Sequence, residues 1–138
     1  MNERGWNLLF AAFVCAATAT LGSLFFSEVM RLPPCSLCWY QRILMFPLPL
    51  VLVMGLSPYD PRASRYALPL AGLGTAVAVW HTLLYVGILP EEAAPCTAGL
   101  SCSKPTFTLF GVFSIPVMSL LAFSVITTLL VAHRRAVR

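Results

Sequence analysis

Long apolar runs set the first constraint on this chain. No charged residue occurs between Trp6 and Phe26. As a helix that stretch spans about 31 Å at about 1.5 Å per residue, enough to cross a hydrocarbon core of about 30 Å. Further runs extend from Trp39 to Leu56, from Ala67 to Leu89 and from Phe107 to Ala132. Lipid offers no hydrogen bonds to a bare backbone, so runs of this length are expected as helices. The expected fold class is all-α: an integral membrane four-helix bundle forming a single domain over residues 1–138, with spans at about 6–26, 39–56, 67–89 and 107–132. The composition excludes the alternative of a water-soluble core. Hydrophobic residues make up 59% and charged residues 10%, against about 45–50% and about 25% in ordinary soluble domains.

The segments between the runs carry the remaining signals. Met1-Asn2-Glu3-Arg4 is short and polar, and the apolar stretch after it is longer than the roughly 7–15 residues of a signal-peptide core. A retained first helix is therefore expected. The second run is the shortest and contains Pro47 and Pro49. Proline removes a backbone donor and kinks a helix, which implies either a pocket near the start of this span or a simple bend. Ser57 to Arg65 is a breaker-rich turn. The third run contains Gly72, Gly74 and several alanines, which allow close helix approach. The fourth has Pro116 near its start and ends in His133-Arg134-Arg135-Ala136-Val137-Arg138.

Nine basic residues against five acidic ones give a net charge of +4. Arg4, Arg62, Arg65, Arg134, Arg135 and Arg138 lie on one side of the expected spans, and Arg31, Arg42 and Lys104 on the other. The positive-inside rule then places both termini in the cytoplasm. The basic residues are scattered over loops and one tail, which argues against a nucleic-acid partner. The partner demanded by composition is the lipid bilayer.

Both loops on the outer side carry cysteines. Of the five in the chain, Cys35/Cys38 and Cys96/Cys102 form two close pairs. Cys15 lies in mid-span and is expected to pack as a small apolar residue. The outer face is an oxidising space in most cells. Pro34 suits the first position of a helix, which would put Cys35 and Cys38 in the first turn of the second span. Backbone N–H groups there favour a thiolate, and thiolate is the nucleophile in disulfide exchange. Arg42 follows Cys38 by four residues and shares its helical face. Its guanidinium would favour that thiolate or bond a ligand oxygen, or else the side chain snorkels to the interface. Trp39 and Tyr40 suit the aromatic belt.

Three uses of the pairs follow from chemistry. A disulfide can pass between them by exchange. Each can be a structural bridge, although the small loop between Cys96 and Cys102 predicts only modest stabilisation. Four sulfurs can bind zinc, a reading weakened by disulfide competition in an oxidising space, so no resident metal is expected. A relay needs an electron sink. No nicotinamide, flavin or haem motif is present, which leaves a membrane-dissolved quinone. His81, in the third span, is either a ligand or proton carrier for such a site or a neutral histidine held by a neighbour. Glu28 is expected to be a solvated charge.

Cys35-Ser36-Leu37-Cys38-Trp39-Tyr40-Gln41-Arg42, followed by Met45-Phe46-Pro47, resembles the signature of the DsbB family of disulfide-forming membrane proteins, in its short BdbC-like form. Pro95-Cys96, Cys102, Gly111, Ile115-Pro116 and Ser119 extend the likeness over nearly the whole chain. The resemblance implies a quinone-dependent protein-disulfide oxidoreductase of the bacterial cytoplasmic membrane. It would reoxidise a DsbA-like thioredoxin-fold partner and pass electrons to ubiquinone or menaquinone. The implied catalytic residues are Cys35, Cys38, Cys96 and Cys102. Cys96 would meet the partner's thiolate, Cys102 would exchange with Cys35, and Cys38 would face the quinone with Arg42 and His81 as quinone-site residues. Two departures from the larger form stand out: Gln41 replaces a glutamate, and the second loop is short. In vitamin K epoxide reductase relatives the loop pair precedes the C-x-x-C; here the C-x-x-C comes first.

Overall fold

In a computed structural model of the chain, residues 3–29, 36–86, 108–109 and 113–137 are described. Helix α1 (Glu3–Leu24) runs into a π-helical turn at Phe25–Val29. Helices α2 (Ser36–Met45) and α3 (Pro47–Leu56) together form the second span, and α4 (Ala63–Val86) the third. A two-residue antiparallel ladder pairs β1 (Thr108–Leu109) with β2 (Phe113–Ser114), and helix α5 (Ile115–Ala136) closes the fold. Among the described residues, four helical stretches are long and apolar enough to cross a membrane: Glu3–Leu24, Trp39–Leu56, Ala63–Leu84 and Val117–Ala136.

The bundle is assembled through small residues. Ala67, Ala71, Gly74 and Ala78 line one stripe of α4 at alternating steps of four and three, and all are buried. Facing residues on α5 are Phe123, Ile126 and Leu130; α1 contributes Leu9, Ala12 and Ala16, and α3 contributes Leu48 and Leu52. A methyl group added at Gly74 would run into the ring of Phe123. Lipid removes the hydrophobic drive for helix association, so such van der Waals contact has to carry it. Gly72, the other glycine of this run, is exposed with open space beside it and takes no part in the seam. Thr75 and Thr127 add a hydroxyl pair at 3.1 Å between α4 and α5. Leu21, Ile43, Leu50, Met54 and Leu73 point outward, as a lipid-facing surface requires.

Three boundaries differ from expectation. The prolines of the second span interrupt it only at Phe46, which keeps helical angles (φ −61, ψ −38) and donates its N–H to the Arg42 carbonyl at 2.9 Å. The ladder lapses there because Pro47 has no N–H to give. The third helix starts at Ala63, earlier than its apolar run, because Asp60 organises the turn before it. The Asp60 carboxylate accepts the Arg62 N–H at 2.9 Å and its carbonyl accepts the Ala63 N–H at 3.2 Å. The fourth helix starts at Ile115 and not at Phe107, since Thr108 and Leu109 belong to the ladder. Pro116 then falls in the first helical turn, where its missing donor is harmless. The same helix continues past Ala132 and takes in His133, Arg134 and Arg135. Cations in a last turn complement the helix dipole.

Helix α1 packs against α3 and α5, and α4 packs against α2, α3 and α5. The beginning of α1, the α3–α4 turn and the end of α5 meet at one end of the bundle, where Gly5 faces Tyr59 and Val137. The end of α1 and the start of α2 therefore lie at the other.

Candidate functional site

Helix α2 begins with the backbone of Ser36, Leu37 and Cys38, so Arg42 stands one helical turn after Cys38. The side chain of Cys38 is not among the described ones, and Cys35, Cys96 and Cys102 lie outside the described residues. The four sulfurs invoked for a relay, for bridges or for zinc therefore rest on those positions. Arg42 and His81 are described, and they mark what surrounds the start of this helix.

Two adjacent residues of α2 reach in different directions. Arg42 reaches α1: its Nε donates to Ser23 Oγ at 2.9 Å and its Nη2 donates to the Ser23 carbonyl at 3.0 Å. The guanidinium carbon also lies 5.3 Å from the centre of the Trp39 ring, within cation–π range. Arg42 is half-buried, so it does not simply extend into water, and Trp39 and Tyr40 are exposed on the outer surface. Gln41 reaches α4, where its Nε2 lies 3.2 Å from Nδ1 of His81. Both residues are buried, at 6% and 3% exposure. An amide donating to Nδ1 leaves the ring proton on Nε2. Buried polar groups are costly unless bonded, and this pair meets that demand by joining two helices.

Arg42 and His81 stand out in the sequence but Ser23 does not, and Gln41 is visible there only as a departure from a family pattern. A serine close to the end of a span carries no signal of its own. The Gln41–His81 contact joins residues far apart in the chain, so only packing reveals it. Glu28 sits exposed in the π-helical turn, and Cys15 is half-buried and free.

A second polar pair occupies the opposite end. His133 of α5 is fully buried, and its Nε2 lies 3.0 Å from the hydroxyl of Tyr59 in the α3–α4 turn, the two rings meeting edge-on. Nδ1 of His133 is buried and has no hydrogen-bond partner among the described residues. Burial pushes the Tyr59 phenol above its ordinary range. In the sequence His133 is visible only as part of a basic tail.

The chemistry available around Arg42 is that of a polar cluster inside an apolar bundle. It supplies a fixed cation, a buried amide and an imidazole. A ligand with carbonyl oxygens on a flat ring and an apolar tail would find donors here and lipid alongside.

Residues 4–133 match the family model described as "Disulfide bond formation protein DsbB". A "Probable disulfide formation protein" of Metapseudomonas resinovorans is 48% identical over 131 residues, covering 94% of this chain and 91% of the relative. "Disulfide bond formation protein C" of Bacillus subtilis (strain 168) is 42% identical over 120 residues, covering 86% of each. A "Probable disulfide formation protein C 2" of Bacillus cereus is 44% identical over 119 residues, covering 86% of this chain and 85% of the relative. No solved structure matches.

Proposed function

The chain belongs to the DsbB family of disulfide bond formation proteins, a multi-pass protein of the bacterial inner membrane acting in disulfide bond formation, and from that premise we propose that it carries electrons from a secreted thiol oxidase to membrane quinone. Both termini face the cytoplasm in this reading, and the two cysteine-bearing loops face outward. The partner is a thioredoxin-fold protein of the DsbA kind. Its reduced dithiol attacks the Cys96–Cys102 disulfide at Cys96 and leaves oxidised. The freed thiolate of Cys102 attacks Cys35 of the Cys35–Cys38 disulfide and releases Cys38 as thiolate. Cys96 then closes on Cys102 and releases Cys35, and the Cys35/Cys38 dithiol re-forms its disulfide as it gives up two electrons and two protons. Each exchange step forms one S–S bond and breaks another. A bound quinone, ubiquinone or menaquinone, supplies the sink by taking up two electrons and two protons. The remaining roles belong to the chain. Arg42, one turn beyond Cys38, stabilises negative charge on that sulfur or on a ligand oxygen. His81, held by Gln41, donates a hydrogen bond or passes a proton.

The observation that carries this reading is the arrangement around Arg42: a guanidinium tethered to Ser23 and a buried Gln41–His81 pair, with Arg42 and Gln41 both on the helix that opens within the C-x-x-C. The test is quinone absorbance on mixing the purified protein with a reduced thioredoxin-fold partner. Loss of quinone absorbance is expected for the native chain, and none for Cys38→Ser with helical content retained. Normal turnover by Cys38→Ser would remove the assigned role of that cysteine. A flat trace from the intact native protein would remove the quinone reading itself.

A further inference from the structure

We propose that Ser23, close to the end of α1, is the positioning residue that aims Arg42 at its ligand; the inference rests on the reading of Arg42 as a quinone-site residue. An arginine near a membrane boundary has many rotamers and an easy route to water by snorkelling. Here the side chain is half-buried and directed at a neighbouring helix. A guanidinium carries five N–H donors in a rigid plane. Two of them, on the Nε and Nη2 edge, go to two acceptors of one residue: the hydroxyl and the carbonyl of Ser23. Two bonds along one edge fix the plane. The Trp39 ring, one turn earlier on α2, sets the face. The other three donors then share a plane whose orientation is fixed.

Every residue offers a carbonyl, so the serine is needed for its hydroxyl. Thr75 and Thr127 pair with each other across α4 and α5, while other threonine hydroxyls serve their own helices. Thr20, Thr82 and Thr128 each donate to the carbonyl four residues back, at 2.8 Å. The Ser23 oxygen accepts a charged donor from another helix. Ser23 also stands just before the π-helical turn at Phe25–Val29, a widening of the helix that is often found at functional sites. Its carbonyl accepts a bond from outside its own helix at that junction.

The experiment uses the full chain in lipid nanodiscs and a short-chain ubiquinone as probe. Equilibrium binding is read from tryptophan fluorescence quenching, and turnover is read separately as KM and kcat. Hydrogen bonds to charged groups are the strong ones, so Ser23→Ala is expected to weaken quinone binding roughly tenfold. KM should rise by more than kcat falls. Ser23→Thr, which keeps the hydroxyl, should restore binding to within about threefold of the native chain. Ser23→Gly provides a second hydroxyl-free variant should the alanine form not insert, with the same expected loss. Arg42→Met should weaken binding at least as much, and adding Ser23→Ala to it should cost nothing further, because a positioning residue has no effect once its target is gone. Native affinity in Ser23→Ala beside a weakened Arg42→Met would overturn the role of Ser23 alone. Additive losses in the double variant would do the same. Native affinity in Arg42→Met would overturn the assignment of Arg42, and this inference with it.

Discussion

The bundle buries a histidine at each end, and the two are held very differently. His81 on α4 meets Gln41 of α2 at 3.2 Å, next in sequence to an arginine tethered to α1. His133 on α5 meets Tyr59 at 3.0 Å, close to Gly5 and Val137 where both ends of the chain come together. The first pair belongs to the helix that starts at the C-x-x-C. The second ties a turn to the last helix at the far end of the molecule. An imidazole in an apolar bundle is thus no functional mark by itself. What separates the two is company: a fixed cation and a thiol-bearing helix start in one case, a loop to be anchored in the other.

That contrast can be broken by exchanging effects on turnover and on stability. The largest expected effect is at the cysteine end. Gln41→Leu removes the partner of His81, and quinone turnover should fall roughly tenfold, about what one well-placed hydrogen bond contributes. Steady-state quinone reduction measures it. A loss of thermal stability with unaltered turnover would place His81 in the same structural class as His133.

At the far end the order should reverse. Tyr59→Phe removes the bond at Nε2 of His133, whose Nδ1 has no partner among the described residues. A buried unsatisfied group costs about 1–3 kcal/mol, which should appear as a lower unfolding midpoint in detergent. Turnover below that midpoint should match the native chain. A drop in turnover with an unchanged midpoint would break the division between the two ends.

The smallest effect concerns pH. The Tyr59 phenol is raised by burial, so the folded state holds its proton more tightly than the unfolded chain. Its contribution is complete below the unfolded value of about 10 and fades as pH rises through the higher folded value. Unfolding midpoints measured from about pH 8 to about pH 11 should fall more steeply for the native chain than for Tyr59→Phe. Parallel curves would remove Tyr59 from the pH response.

Much of the architecture was legible in sequence because it depends on local properties. Uncharged runs such as Trp6–Phe26 announce spans by length alone. Helix ends were less legible. Ala63 starts α4 because Asp60 bonds the backbone of the turn, and Ile115 starts α5 because Thr108 and Leu109 pair with Phe113 and Ser114. Both depend on partners that hydropathy does not register. Gly72 and Gly74 looked equivalent, yet only Gly74 meets Phe123, since helix rotation decides which of two nearby glycines faces inward.

The sequence by itself determined that the chain crosses a membrane as helices, that a C-x-x-C opens the second span, and that Arg42 follows Cys38 by one turn. These follow from periodicity, composition and covalent order. Only the tertiary structure decided that Arg42 rests on Ser23, that Gln41 holds His81, and that Tyr59 holds His133. Each of these contacts joins segments distant in sequence, and a hydrogen bond between two helices exists only once packing has set their rotation and depth. Buried polar groups must then find partners wherever the bundle puts them, and that search is settled in three dimensions.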